Sequence, residues 1–402
     1  MGIGPVFWFH AVSLGEMKVA GFLSGKLRER LPAARFILTA ATLTGHEEAL
    51  RSAASGDIVL YPPVDYAWVC RRFLRKLKPD AVIVLETELW PNLFREVKRS
   101  GASLLLANGR ISDRSLPRYR ATRFFWRHVL GYSDAIFVQS EREAEHLRAI
   151  GAPAARVHIA GNLKFAIRPA SSPLGETLLL RIREAGVEPV LVAGSTMPGE
   201  ETILLKTFLA LRQAFSNLWM ILAPRHPERA GSIAAEIRAA GVPVQVRSEW
   251  QPSQPITPGI FLLDTAGELA SLYPLAAAAF IGGTLVPTGG HNILEPAHFA
   301  CPTVIGPSME NFRDVAAQFL DARAVIQVAD VSELATALRQ LLLHREDAKR
   351  LGQSARELVA RQTSGCSLIL DDLERMIAAK SGVASAALPV SPATVASAER
   401  WK

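Results

Sequence analysis

Cysteine is scarce in this 402-residue chain, which has only Cys70, Cys301 and Cys366. They are odd in number and far apart, so they supply neither a disulfide framework nor a zinc pattern, and they imply a reducing compartment. No run of eighteen apolar residues occurs, so nothing in the sequence spans a membrane as a helix. The opening residues, MGIGPVFWFH, lack the charged n-region and cleavage site of a secretory signal. No cluster of Asp, His or Cys has metal-ligand spacing. What is present is ordinary globular material, 49% hydrophobic and 21% charged, enough for two or three domains with sizeable cores.

Charge is unevenly spread. Residues 1–165 hold 24 Lys and Arg against 15 Asp and Glu, although the whole chain is only +7. The excess concentrates in Cys70–Lys78 (CRRFLRKLK) and Arg114–His128 (RSLPRYRATRFFWRH). Arginines interleaved with Phe124, Phe125 and Trp126 suit an anionic lipid surface, where rings insert and cations meet headgroups. Nucleic acid could use the same pieces but is the weaker reading.

Apolar β-type runs alternate with helical stretches along the whole chain. The first series is Val6–Val12, Phe36–Ala40, Asp57–Tyr61, Ala81–Leu85, Ser103–Ala107, Ala135–Val138 and Val157–Ala160. The second is Pro189–Ala193, Trp219–Ala223, Val244–Val246, Ile260–Leu263, Ala278–Ile281, Thr303–Ile305 and Val325–Val328. Such alternation predicts α/β architecture with parallel sheets covered on both faces. The Pro/Ser-rich join Arg168–Gly175 divides the series into two doubly wound domains, expected at 1–167 and 168–379 and facing across a cleft. The helical pattern Arg345–Ala379 is expected to return to the first domain, and 380–402 reads as a flexible tail.

Polar clusters stand where strands end. The stretch Gly282–Pro296 (GGTLVPTGGHNILEP) follows an apolar strand; its four glycines would let the backbone approach a ligand, with His291, Asn292 and Glu295 at the same mouth. Glu16 follows the first strand, Glu86–Asn92 (ETELWPN) the fourth, and Lys164 the seventh. Ala193–Thr196, Ala223–Glu228 and Asp264–Glu268 end strands of the second series. Each alone reads as a turn or a capped helix. Their joint occurrence at carboxyl ends marks a ligand site.

Taken together, His10–Glu16 (HAVSLGE), Glu86–Asn92, Gly161–Phe165 (GNLKF), Ala193–Thr196 (AGST), Pro224–Arg229 (PRHPER) and Gly282–Pro296 resemble, in order and spacing, the 3-deoxy-D-manno-octulosonic acid (Kdo) transferases. These enzymes add Kdo to the lipid A precursor in lipopolysaccharide synthesis. The resemblance implies a GT-B fold of two Rossmann-like domains, and inverting transfer from CMP-β-Kdo to the precursor, lipid IVA, at the cytoplasmic face of the inner membrane. It assigns Glu16 as general base and Glu86 and Lys164 as transition-state stabilisers. It assigns Pro224, Arg225, Ala266, Gly267, Glu268, Asn292, Ile293, Leu294 and Glu295 to the CMP donor. It implies neither a metal nor any other cofactor.

Three positions depart from the family pattern. Members usually begin with a membrane-anchoring segment well ahead of the residue matched by Glu16, whereas this chain starts almost on its first strand. Attachment is therefore expected to rest on the basic–aromatic surface, or on a segment absent from this chain. Met197 stands where many members have His, and Ala166 where Asp is usual. A GT-B enzyme using a UDP-sugar, and a non-catalytic binding protein that keeps CMP affinity, are the alternatives to be distinguished.

Overall fold

The computed structural model describes residues 4–169, 172–363 and 365–381. The chain divides into two units. One runs up to Lys164 and takes up the chain again after Thr363; the other is Phe165–Thr363.

The first unit is built on a seven-stranded sheet: β1 (Val6–His10), β2 (Arg35–Thr39), β3 (Ile58–Leu60), β4 (Ala81–Leu85), β5 (Ser103–Gly109), β6 (Ala135–Val138) and β7 (Val157–Ile159). Every pairing is parallel and the order is β3-β2-β1-β4-β5-β6-β7. The sequence explains the layering. Strands β1 and β4 (VFWFH, AVIVL) are buried at every position and, His10 apart, read as apolar runs, as strands covered on both faces do. Helices Ala67–Leu77, Pro91–Ser100 and Arg123–Leu130 share one core with Trp8, Val82, Val84, Leu104 and Leu106. Helix Leu14–Arg30 lies against Leu43–Ser52 and Cys366–Ser381.

The second unit repeats the plan with β8 (Val190–Thr196), β9 (Trp219–Pro224), β10 (Val244–Val246), β11 (Ile260–Leu262), β12 (Ala278–Ile281), β13 (Thr303–Ile305) and β14 (Ile326–Gln327). The order is β10-β11-β9-β8-β12-β13-β14, again all parallel. One core, around Trp219, Ile221, Phe261 and Ile281, is covered by helices Pro173–Ala185, Arg313–Asp321 and Arg345–Thr363. The other, around Met220, Leu222 and Phe280, is covered by Glu200–Arg212, Ala230–Ala239 and Val331–Leu343.

All fourteen expected strands are present, with ends displaced by a few residues at most. The largest displacement has a cause. Strand β8 continues past Ala193 to Thr196 through Ser195, which adopts φ +57, and its pairing with β9 shifts register between Gly194 and Thr196. The join is shorter than expected, because Ser172 caps a helix that already includes Pro173, Leu174 and Gly175; its Ala170 and Ser171 lie outside the described residues. The last helical pattern is two helices, not one. Arg345–Thr363 packs in the second unit, and Cys366–Ser381 belongs to the first, where Arg30 pairs with Asp371 and the Lys380 Nζ donates to the carbonyls of Asp80 and Gly101. The expected tail lies outside the described residues beyond Ser381.

Candidate functional site

A switch point in strand order falls between β1 and β4 in the first sheet and between β8 and β12 in the second, whose edge strands β10 and β11 are also exchanged. Loops leaving neighbouring strands at such a point diverge to opposite faces and leave a crevice at the carboxyl edge. The sequence-selected residues fall there.

In the first unit, Glu16 enters helix Leu14–Arg30 directly after β1. Ser13 caps that helix, and Glu16 sits three residues on, as in a capping box. Its Oε2 accepts from the Val12 N–H at 2.7 Å and its Oε1 from the Ser13 hydroxyl at 2.6 Å. The side chain is buried, and burial raises its pKa above the usual carboxylate value against those two hydrogen bonds; the neighbouring Glu86 and Glu88 carboxylates push it the same way. Glu86 follows β4 in a left-handed conformation, φ +54. The Lys164 ammonium lies 2.6 Å from its Oε1, and the Arg110 guanidinium, at the end of β5, 3.3 Å from its Oε2. The Lys164 side chain also passes beside Gly15 at the first turn of the Glu16 helix, in ordinary van der Waals contact with the Cβ an alanine there would carry. Glu16, Glu86 and Lys164, separated by as many as 148 positions in sequence, thus converge at one edge.

Arg110 was not singled out by the sequence reading, which ended β5 at Ala107. Asn92 proves structural. Asp65 accepts the N–H groups of Asn92 and Leu93, capping a helix whose own cap position, Trp90, has no acceptor to offer, and the Asn92 amide donates to the Asp65 carbonyl.

In the second unit the spatial order β11-β9-β8-β12 lines up the remaining candidates. Glu268 lies beyond β11, Arg225 beyond β9, Met197 beyond β8 and His291 with Asn292 beyond β12. Ala266, Gly267 and Arg225 are exposed. Pro224 is buried as the last residue of β9. The Glu268 carboxylate takes two hydrogen bonds from Arg247, at 3.0 and 3.1 Å, and another from the Thr265 hydroxyl. The Asn292 amide reaches Glu295 Oε1 at 3.2 Å while its own oxygen accepts from the Leu294 N–H. Ile293 and Leu294 point into the hydrophobic core, so only their backbone is available to a ligand. His291 has its pKa lowered to about 4, by burial first and then by the positive field of Arg225 and His226, so it is a neutral imidazole at pH 7.

The glycine-rich stretch has a packing role that the sequence did not show. Its glycines make room for the protein itself. A Cβ on Gly282 would lie 2.4 Å from the Ser195 carbonyl, on Gly289 2.4 Å from Asn311, and on Gly290 2.6 Å from the Met309 sulfur. Gly283, at φ +69, would carry its Cβ 2.9 Å from His291. Among the described residues no group of three or more His, Cys, Asp or Glu could hold a metal ion.

Two seven-stranded parallel sheets, each with polar residues at its carboxyl edge, define the GT-B fold. A family model described as 3-deoxy-D-manno-octulosonic-acid transferase (kdotransferase) matches residues 2–167. The 3-deoxy-D-manno-octulosonic acid transferase of Haemophilus influenzae is 31% identical over 91% of this chain and 86% of its own length, and that of Bordetella pertussis matches to the same extent. The chain therefore belongs to the 3-deoxy-D-manno-octulosonic acid transferase family and is a Kdo glycosyltransferase. The crystal structure of UDP-GlcNAc 2-epimerase from Neisseria meningitidis bound to UDP-GlcNAc, at TM-score 0.60 and 12% identity over 92% of this chain and all of that one, shares the fold alone.

Proposed function

We propose that this chain catalyses inverting transfer of Kdo from CMP-β-Kdo to a hydroxyl of the lipid A precursor, lipid IVA, without a metal ion. The observation that carries the reading is the convergence of Glu16 with the Glu86–Lys164–Arg110 ion-paired group at the β1/β4 switch point. In this reading the acceptor oxygen bonds to the anomeric carbon of Kdo as the bond from that carbon to the CMP phosphate oxygen breaks. The acceptor proton goes to Glu16, and CMP leaves as an anion. A carboxylate whose pKa is raised by burial suits the base, since its proton affinity moves towards neutral pH. Glu86 offsets positive charge developing on the sugar, and Lys164 meets negative charge on the donor or the leaving phosphate. Beyond the second sheet, Arg225 offers its guanidinium to the phosphate and Glu295 a carboxylate to the ribose hydroxyls.

We assign the membrane contact to helices Ala67–Leu77 and Arg123–Leu130. Both lie against helix Pro91–Ser100 on one side of the first sheet. Their Trp68 and Phe124 are 69% and 80% exposed. Arg71, Arg95 and Arg99 are committed to the buried Glu96 carboxylate. The neighbouring Arg72, Arg75 and Lys76 have no ion pair among the described residues and suit anionic headgroups. No described helix is long and apolar enough to cross a membrane. The proposed location is the cytoplasmic face of the inner membrane, where such a contact would meet the acceptor.

The donor assignment is tested by calorimetry. CMP should raise the melting temperature and UDP should not, because a ligand that binds only the folded state stabilises it. Arg225→Ala should abolish the response. Stabilisation by UDP in place of CMP would instead make this a UDP-sugar enzyme.

A further inference from the structure

The backbone N–H groups at the start of the glycine-rich stretch are already occupied. Glu200 opens helix Glu200–Arg212 after β8 and is completely buried. Its Oε2 accepts from the N–H of Gly283 at 2.7 Å and of Met197 at 2.8 Å, and its Oε1 from Thr284 at 3.1 Å and Leu285 at 3.0 Å. Successive N–H groups turned inward form an anion-binding nest, and here the anion is one of the protein's own side chains. The next residue does the same for other loops. Glu201 is also buried; it accepts from the Thr196 hydroxyl at the end of β8, and Arg229, in the segment following β9, donates to both its oxygens at 2.8 and 3.1 Å.

We infer that Glu200 and Glu201 are positioning residues for the sugar-nucleotide donor: adjacent carboxylates of one helix that fasten the ends of β8, β9 and β12 to each other, with Glu200 filling the anion nest of the glycine-rich turn. This rests on the reading that those strand ends hold CMP-Kdo. Two consequences follow from the geometry. The amides of Gly283, Thr284 and Leu285 are not the donor phosphate's ligands, so the phosphate depends on side chains such as Arg225. The turn is also set before the donor arrives, because the carboxylate that shapes it is part of the fold. Burying a carboxylate against four donors is favourable only while all four stay in place, which makes the turn rigid.

Amide hydrogen exchange and steady-state kinetics on Glu200→Gln and Glu200→Asp decide the matter. The glutamine presents an NH2 group where one oxygen accepted two N–H groups; the aspartate keeps the charge but is a methylene too short to span Met197 and Gly283–Leu285. In both variants those four amides should lose protection while the core strands β8, β9 and β12 keep theirs. The KM for CMP-Kdo should rise about tenfold or more, with kcat changed far less, because binding geometry is lost and the transferring groups are elsewhere. Unchanged protection at these amides, or an unchanged KM in a variant that has lost it, overturns the proposal. If the wild-type protein shows no CMP response the donor reading fails, and the exchange comparison by itself still confirms or refutes the clamp. If neither variant folds, the four wild-type amides must still exchange as slowly as the sheet core, and fast exchange overturns the clamp.

Discussion

Glu16 carries two jobs at once. It joins the helix cap, accepting from the Ser13 hydroxyl and the Val12 N–H, and it is the buried carboxylate at the β1 exit. A carboxylate oxygen has two lone-pair directions, so accepting from Val12 and Ser13 leaves each oxygen able to accept once more. Its place in the cap is why sequence alone could not separate a helix cap from the proposed base. His10, six residues earlier, is completely buried. Its Nδ1 lies 3.2 Å from the Thr39 hydroxyl, Trp90 packs edge-on at 4.5 Å, and its pKa is lowered to about 4 by burial. Between about pH 6.5 and pH 4 the unfolded chain binds this proton and the folded chain refuses it. The contribution to stability is therefore whole above pH 6.5 and lost as pH falls to 4, on the order of 3 kcal/mol at its fullest. His10→Gln should flatten the fall of melting temperature across that window. Equal slopes in wild type and variant would show that His10 is not the group responsible. Glycines were the least legible residues: four of them suggested close approach of a ligand, and the structure adds that their missing Cβ atoms make room for Ser195, Asn311, Met309 and His291. That reason is tertiary, and no local pattern encodes it.

The secondary elements were legible because burial on both faces leaves a plain signal. Strands such as AVIVL and VFWFH are short and apolar but for His10. Legibility failed where a cap or a break depends on a partner far away. The helix starting at Pro173 was read as linker, and the division of the last helical pattern was missed. Gly365, at the start of the second helix, would place a Cβ 1.8 Å from the Ala160 carbonyl, a contact that sequence cannot show. Gly352 is the sharper case. In helix Arg345–Thr363 its Cβ would fall 1.9 Å from the Ala300 carbonyl, whereas at Gly25 in helix Leu14–Arg30 nothing lies within 4 Å. Gly352→Ala should lower the melting temperature by several degrees, the result of overpacking worth about 1–3 kcal/mol. Gly25→Ala should raise it slightly, by about 0.5–1 kcal/mol of helix propensity. Differential scanning calorimetry of the pair checks both signs, and destabilisation by both would refute the packing argument. The basic–aromatic helices make a separate prediction. Trp68→Ser with Phe124→Ser should weaken co-sedimentation with anionic vesicles and leave CMP binding unchanged, and unimpaired sedimentation would place the membrane contact elsewhere.

At the scale of the molecule, one plan is used twice: seven parallel strands, a central switch in strand order, and polar residues at the carboxyl edge. This doubling made the fold class readable without any structure, since two strand–helix series of equal length cannot fold as one ordinary sheet. Where the last helical pattern divides was not readable, because Arg345–Thr363 stays in the second unit while Cys366–Ser381 is held in the first by contacts with Arg30, Asp80 and Gly101 distant in sequence. The assignment of chemistry to Glu16, Glu86 and Lys164 came from resemblance, and the structure adds that the three converge.

The measurement that tests this assignment most directly is Kdo transfer to a tetraacylated lipid A precursor, with CMP-Kdo generated in the assay and EDTA present, comparing wild type with Glu16→Ala. Wild type should give the mass of the Kdo-bearing lipid, and the variant should be slower by about 10²–10⁴-fold, the usual loss for a general base, with its CMP-induced stabilisation intact. Equal rates in the two proteins, or a wild-type reaction that stops on adding EDTA, would contradict the account.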